Sequence, residues 1–287
     1  MKNAIKTIAT ATLALSLAGC GSSASKSTED KTIKVGATSV PHAEILNDVV
    51  KDVLAKDGWT LEVTEFTDYV TPNTALEDGS LDANYFQTLG YMNDQNESNG
   101  LHLAAAVGVH IEPMGIYSAT LTDIKDLKDG DTIVVPNDAD NCDRGLRVLV
   151  QAGLLEEPTT DGYISEDTYN GNAELNPHNY VIKAVEAAQV PLQIDDNTVS
   201  AVVANGNYAL EAGLPEKHPS IYVEQFDTET SVKRTNYVVV EQDNLDSEKT
   251  KALVKAITSD EVKQYIEDTY KGSVIASFID ESGNPVD

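Results

Sequence analysis

One ten-residue stretch, 137–146, gathers the groups best suited to chemistry: Asn137-Asp138-Ala139-Asp140-Asn141-Cys142-Asp143-Arg144-Gly145-Leu146. Arg144 is one of only three arginines, with Arg147 and Arg234. A guanidinium can hold a carboxylate through two parallel N–H···O bonds. Asp and Asn side chains cap helix starts, and the free backbone N–H groups there receive anions. The stretch follows the apolar run 132–135, closed by Pro136, and precedes Leu146-Arg147-Val148-Leu149-Val150. It therefore reads as a strand-to-helix turn, the place where open α/β sheets bind ligands. A cation at a helix start opposes the helix dipole, so Arg144 there needs a reason. One reason is a clamp on a ligand carboxylate. The plainer reading is a surface arginine paired with Asp140 or Asp143.

A second concentration lies between residues 66 and 91, where Phe66, Tyr69, Phe86, Gln87 and Tyr91 fall close together. Aromatic walls with a few amides suit a small amphipathic ligand, although any one of these rings would serve equally well in a core. The motifs of catalysis do not accompany them. His42, His102, His110, His178 and His218 form no H-x-x-x-H or H-E-x-x-H pair, and the chain has no P-loop and no G-x-G-x-x-G. Cys142 has no histidine near it in sequence. A binding protein is expected, with no catalytic residue, no cofactor and no metal site. His42-x-Glu44 and the acidic surplus keep a metal ion open as an alternative cargo.

The elements that position these groups follow from periodicity. Residues 32–37 alternate as a strand, and Leu46, Val49, Val50, Val53 and Leu54 mark one face of a helix stopped by Gly58. Residues 59–63 alternate again, which gives a βαβ unit with parallel strands. A short helix over 74–77, strands over 103–109 and 133–135, a helix reaching 155, and a buried strand over 199–203 continue the pattern. The layout of residues 33–54 thus recurs after residue 133, so two α/β halves are expected. The return to the first half is placed at 220–226, with a strand over 237–240 and two helices over 247–270.

The chain opens with Lys2 and Lys6, a short apolar run over 8–18, and Leu17-Ala18-Gly19-Cys20. That is a secretory signal, residues 1–19, too short to serve as a membrane-spanning helix. Leu-Ala-Gly-Cys matches the bacterial lipobox, which implies cleavage before Cys20 and lipidation of that residue. Residues 20–30 become a lipidated tether. The formal charge is −27, from 20 basic and 47 acidic residues, and losing the leader's two lysines makes it more negative. Nucleic acid is therefore excluded as a partner. With Cys20 lipidated, Cys142 is the one remaining thiol, so no disulfide framework exists.

The order of motifs resembles the NlpA lipoprotein family, the methionine-binding lipoproteins of ATP-driven importers. The resemblance rests on the lipobox, V-G-A-T-S-V-P-H-A-E-I-L (35–46), E-F-T-D-Y-V-T-P-N-T-A-L (65–76), D-A-N-Y-F-Q (82–87), V-P-N-D-A-D-N-C-D-R-G-L (135–146) and N-G-N-Y-A-L-E-A-G-L (205–214). It implies a type II periplasmic-binding-protein fold with two α/β lobes, a ligand cleft and a hinge. Lobe I would take residues 31–115 and 226–287, and lobe II residues 116–225. The resemblance assigns Arg144 to the ligand carboxylate, Tyr69, Phe86 and Tyr91 to the apolar walls, and Asn141, Asn205 and Asn236 to the pocket amides. It further implies a monomer, held on the outer face of the cell membrane by its lipid. There it would capture L-methionine, a close analogue or a methionine peptide. Delivery would be to the permease and ATPase subunits of an ABC importer. Three departures touch specificity: Thr88 stands where histidine is common, Glu112 where tyrosine is, and Leu192 where arginine is. Cys142-Asp143 also replaces a commoner glutamate and small residue. Thr88 is expected beside the ligand, and another amino acid remains an alternative.

Overall fold

The structure, a computed structural model, describes residues 30–286. Cys20, the leader and the tether up to residue 29 lie outside the described residues. The described chain forms two mixed sheets. The first contains β1 (Thr32–Thr38), β2 (Thr60–Phe66), β3 (Ala83–Thr88), β4 (Leu103–Ile111), β10 (Thr235–Glu241) and β11 (Ile275–Ile279), in the order β11-β4-β10-β3-β1-β2. β1 runs parallel to β2 and β3, while β10 is antiparallel to β3 and β4. The second sheet contains β5 (Gly115–Tyr117), β6 (Thr132–Pro136), β7 (Val181–Val185), β8 (Ala201–Ala204) and β9 (Tyr222–Val223), in the order β7-β6-β8-β5-β9. Among the connections between strands are the short helices α1 (Lys51–Lys56), α5 (Glu166–Tyr169) and α7 (Leu214–Lys217).

Burial explains these strands. All six residues of β3 and all four of β8 are buried, as strands covered on both faces must be, whereas the edge strand β2 alternates toward solvent. Ile45, Leu46, Val50 and Leu54 pack one face of the first sheet together with Leu253, Ile257, Val262 and Ile266. Those four come from α9 (Glu248–Ile257) and α10 (Asp260–Tyr270). The opposite face is covered by Leu76 of α2 (Thr71–Glu77) and Met92 of α3 (Leu89–Asn99). The second sheet is likewise sandwiched. Leu146, Val148 and Leu149 of α4 (Ala139–Gln151) lie on one side, with Ala209 of α6 (Gly206–Glu211) on the other. This is the two-sheet α/β architecture expected of the periplasmic-binding-protein type.

Two departures from the sequence reading have physical causes. α3 was not anticipated, because Asn93 to Asn99 is an unbroken polar run with no apolar stripe. Its ends hold it instead: the Thr88 hydroxyl caps the Tyr91 N–H, and Gly100 closes it at φ 65°. The return to the first sheet also comes later than placed. Tyr222 and Val223 still pair with Ile116 and Gly115 as the edge of the second sheet, and the chain crosses back through α8 (Thr228–Arg234). The crossings are thus Glu112-Pro113-Met114 on one side and residues 224–234 on the other.

Candidate ligand-binding site

The strand ends of both sheets and the starts of α3, α4 and α6 surround a cavity whose free space, counting the part open to solvent, is about 330 Å³. All eight residues that the sequence nominates line it: Tyr69, Phe86, Thr88, Tyr91, Asn141, Arg144, Asn205 and Asn236. Gln87, Glu112, Gly206 and Asn207 complete the lining. Of these four, Gln87 belonged to the aromatic and amide cluster and Glu112 was noted as a departure. Gly206 and Asn207 lay inside the quoted N-G-N-Y motif. Leu192 is 58% exposed and forms no part of the cavity wall.

Arg144 does not sit at the helix start. α4 begins at Ala139, capped by Asp138, whose Oδ1 accepts the Asn141 N–H at 3.0 Å. Arg144 therefore lies in the second turn, where the dipole argument has faded. The plainer reading, a surface arginine paired with Asp140 or Asp143, does not stand, since the side chain is buried and pairs with neither. Its Nε donates to Glu224 Oε1 at 3.0 Å, and its Nη2 donates to Glu224 Oε2 at 2.6 Å and to the Glu112 carbonyl at 2.8 Å. Burial opposes its charge, but the Glu224 carboxylate more than offsets this and its pKa is raised. No residue among those described hydrogen-bonds to Nη1. Asp143 instead holds Arg147 at 3.0 Å, and Asp140 holds Arg234 at 2.8 Å. Nothing in the sequence singles out Glu224 among the acidic residues.

The amides divide into braces and open groups. Asn141 gives its N–H₂ to Asp138 at 2.9 Å and accepts from Asn205 Nδ2 at 2.7 Å. Asn236 Oδ1 lies 3.2 Å from His42 Nε2. Two polar atoms are buried without a hydrogen-bond partner on the cavity wall, the acceptor Asn205 Oδ1 and the donor Asn207 Nδ2. Such groups are costly unless a ligand or water satisfies them. Asp138 feels the enclosure too: burial pushes its carboxyl up to about 6, although the Asn141 bonds pull the other way.

The aromatic residues form one cluster. Tyr69 stacks on Tyr208 with ring centres 4.8 Å apart and meets the rings of Phe86 and Tyr91 at 5.6 Å each. Tyr69 Oη donates to Asn207 Oδ1 at 2.5 Å, and Tyr208 Oη to the Thr67 carbonyl at 3.3 Å, so residues beside the two sheets join across the cavity. Burial and neighbouring Tyr208 raise the Tyr69 phenol well above its ordinary pKa, so it stays a neutral donor.

His42 and His110, behind this wall, join Glu112 on it in a buried group of the kind that can hold a metal ion. Their ring nitrogens are already engaged. His110 Nε2 lies 2.6 Å from Glu112 Oε1, its Nδ1 meets the Tyr85 hydroxyl, and His42 Nδ1 is 2.8 Å from Thr38 Oγ1. Burial lowers His42 to about 4, against the pull of Glu112, and lowers His110 to about 3; it raises Glu112. Cys142 faces Glu166 rather than any histidine, and burial raises its thiol to about 12. A thiol held so far from ionisation is a weak nucleophile at neutral pH.

The family profile described as NlpA lipoprotein matches residues 33–278. The chain is 36% identical over 261 residues to the methionine-binding lipoprotein MetQ of Bacillus subtilis, covering 90% of this chain and 93% of that protein. It is 34% identical over 261 residues to the D-methionine-binding lipoprotein MetQ of Escherichia coli, covering 91% and 93%. Among solved structures, a nutrient binding protein from Burkholderia cenocepacia bound to methionine superimposes with a TM-score of 0.78. That likeness has 36% identity and spans 86% of this chain and all of the other.

Proposed function

The chain belongs to the NlpA lipoprotein family, and from that premise we propose that it is an extracytoplasmic, lipid-anchored substrate-binding protein. It captures L-methionine, or a close analogue or methionine peptide, and delivers it to an ABC importer. Relatives named for methionine binding and a methionine-bound structural neighbour support the ligand. One observation carries the reading at atomic level. The cavity joins an aromatic wall to two open donors, Arg144 Nη1 and Asn207 Nδ2, and one open acceptor, Asn205 Oδ1. A zwitterion with an apolar side chain satisfies all three groups, and a polarisable thioether suits the rings of Tyr69, Phe86 and Tyr91.

The same reading makes Cys20 the lipid-bearing residue and residues 20–30 the tether. It divides the chain into lobe I (31–115 and 226–287) and lobe II (116–225), hinged at the two crossings. The protein acts as a monomer without catalysis, and the permease and ATPase are separate chains. Mass spectrometry of ligand co-purifying with the protein, followed by calorimetry, tests the assignment. L-methionine or a methionine peptide is expected, and an unrelated amino acid with no measurable methionine binding overturns it. A metal ion as cargo is the second reading, favoured by the His42–His110–Glu112 group alone. Zinc titration of metal-free protein distinguishes the two.

A further inference from the structure

We propose that Glu112 recognises the ligand's α-ammonium group and so restricts this site to ligands with a free, cationic amine. This rests on the reading of the cavity as an amino acid site and deepens it. Glu112 lies on the first crossing, between β4 and β5, buried yet on the cavity wall. Its carboxyl group is fixed from two sides. His110 Nε2 lies 2.6 Å and His42 Nε2 3.4 Å from Oε1, and the Asn207 backbone N–H donates from the other side of the cavity.

The rings that hold it are themselves held. The hydroxyls of Thr38 and Tyr85 face the two Nδ1 atoms; when those hydroxyls donate, each Nε2 carries the hydrogen, His110 toward Glu112 and His42 toward Asn236 Oδ1. Neither histidine beside Glu112 carries a standing positive charge, since burial lowers both. The guanidinium nearby does not pair with the carboxylate, since Arg144 gives Nε and Nη2 to Glu224 and only touches the Glu112 backbone carbonyl. Arg144 is balanced by Glu224, so Glu112 is the acidic side chain on the wall without a cationic partner.

Burial favours the neutral form of Glu112 in the empty cavity, and a countercharge restores the carboxylate, because a buried charge is costly unless one accompanies it. A ligand ammonium supplies that charge and three donors. The orphaned Asn205 Oδ1 on the same wall takes a second of them. Asn236 Oδ1 already accepts from His42, which leaves it one further lone pair. The resemblance assigned Asn141, Asn205 and Asn236 as the pocket amides. The structure leaves one of their oxygens unpartnered and places a carboxylate in the same cavity.

The test is calorimetry on the whole chain with L-methionine and with its 2-hydroxy analogue, in which a hydroxyl replaces the amine. The native protein should favour methionine by roughly ten- to a hundredfold, the worth of a hydrogen bond to a charged group. Glu112→Gln should lose most of that preference, weakening methionine while leaving the hydroxy acid nearly unchanged. Equal weakening of both ligands, or no weakening of either, assigns Glu112 a structural role and overturns the inference. If Glu112→Gln does not fold, Glu112→Asp takes its place: a reduced amine preference supports the inference, and an unchanged preference, or equal affinity of the native protein for the two ligands, overturns it. If the native protein binds neither methionine nor any other amino acid, the amino acid reading falls, and with it the role of Glu112.

Discussion

Glu224 grips Arg144 by one full edge of its guanidinium, with Nε 3.0 Å from Oε1 and Nη2 2.6 Å from Oε2, both side chains buried. The same carboxylate accepts the Met114 N–H at 2.9 Å. Glu224 starts the second crossing and Met114 ends the first, so this pair ties the two crossings to the α4 helix. The two-bond fork that sequence reasoning reserved for a ligand is spent inside the protein. What remains for a ligand carboxylate is Nη1, joined by Asn207 Nδ2.

Arg144→Ala should therefore harm binding and folding together. Affinity should fall by roughly thirtyfold to several thousandfold, the range for truncating one member of a buried charge pair. Stability should fall by about 3–5 kcal/mol, because Glu224 is left charged and buried. Calorimetry and urea unfolding measure the two effects. Unchanged affinity in a folded variant rules out Arg144 as a ligand group.

Glu224→Gln separates positioning from contact. Glu224 does not line the cavity, yet without its charge the Arg144 side chain loses the fork that aims it. Methionine affinity should drop roughly tenfold or more, and Glu224→Asp should recover less than half of the lost binding free energy, since the shorter arm cannot span the same distance. Native affinity in Glu224→Gln shows that α4 packing alone places Arg144.

The cavity wall was legible in the sequence because its members lie in contiguous motifs at strand ends. Tyr69, Phe86, Asn141 and Asn205 each fall near the end of an apolar run, which is where α/β sheets place ligands, and Arg144 follows Asn141 within the same motif. The groups behind the wall were not legible. Glu224 stands 80 residues from Arg144, and Asn236 stands 194 residues from His42. Neither pairing follows from spacing, since each depends on how the second crossing returns. α3 was invisible for a different reason: its polar run shows no stripe, and a cap and a glycine define it instead. Arg144 was read at the helix start because the length of the turn before α4 cannot be counted from residue types. The cap at Asp138 moved it into the second turn.

The buried histidines give a pH-dependent signature. His110 is lowered to about 3 by burial, from an ordinary value of 6.5. Between pH 6.5 and its folded value, the unfolded chain binds a proton there that the folded chain does not. Stability from this residue therefore falls as pH falls through 6.5, since stability rises with pH wherever the unfolded state holds more protons. At 1.36 kcal/mol per pH unit, lowering pH from 7 to 5 should cost about 2 kcal/mol through His110 alone. His110→Gln removes that contribution, so the stability gap between native and variant should shrink by about that amount at pH 5. A gap that stays constant in urea unfolding at the two pH values means His110 is already protonated in the fold.

Contacts across the cavity predict a measurable motion. The Tyr69 hydroxyl bonds Asn207 at 2.5 Å, and Asp140 on α4 pairs with Arg234 at 2.8 Å beside β10. An opened form must break both, and a ligand favours the closed form only if it binds that form better. The radius of gyration in small-angle scattering should be smaller with methionine than without. Tyr69→Phe, which strands Asn207 Oδ1, should lessen the difference. An equal radius with and without ligand, with binding shown by calorimetry, removes hinge closure from the account.

The last expectation concerns Thr88, where a departure from the family pattern has acquired a structural task. Its Oγ1 accepts the Tyr91 N–H at 3.3 Å and caps α3, while its backbone lies opposite Asn236 in the antiparallel ladder. The hydroxyl is thus committed to the helix that carries Tyr91, although the residue lines the cavity. Thr88→Val keeps the shape and removes the cap. It should cost about 1 kcal/mol of stability, the usual worth of an N-cap, with methionine affinity within about twofold of native. Thr88→His would fill space beside the ligand and forfeit the same cap. It should tighten discrimination among unbranched side chains, where one methylene is worth about 1–3 kcal/mol in a fitted pocket. Calorimetry with methionine and norleucine on the two variants separates these effects. If Thr88→Val loses affinity tenfold or more while unfolding at the native urea concentration, the hydroxyl serves the ligand and not the helix.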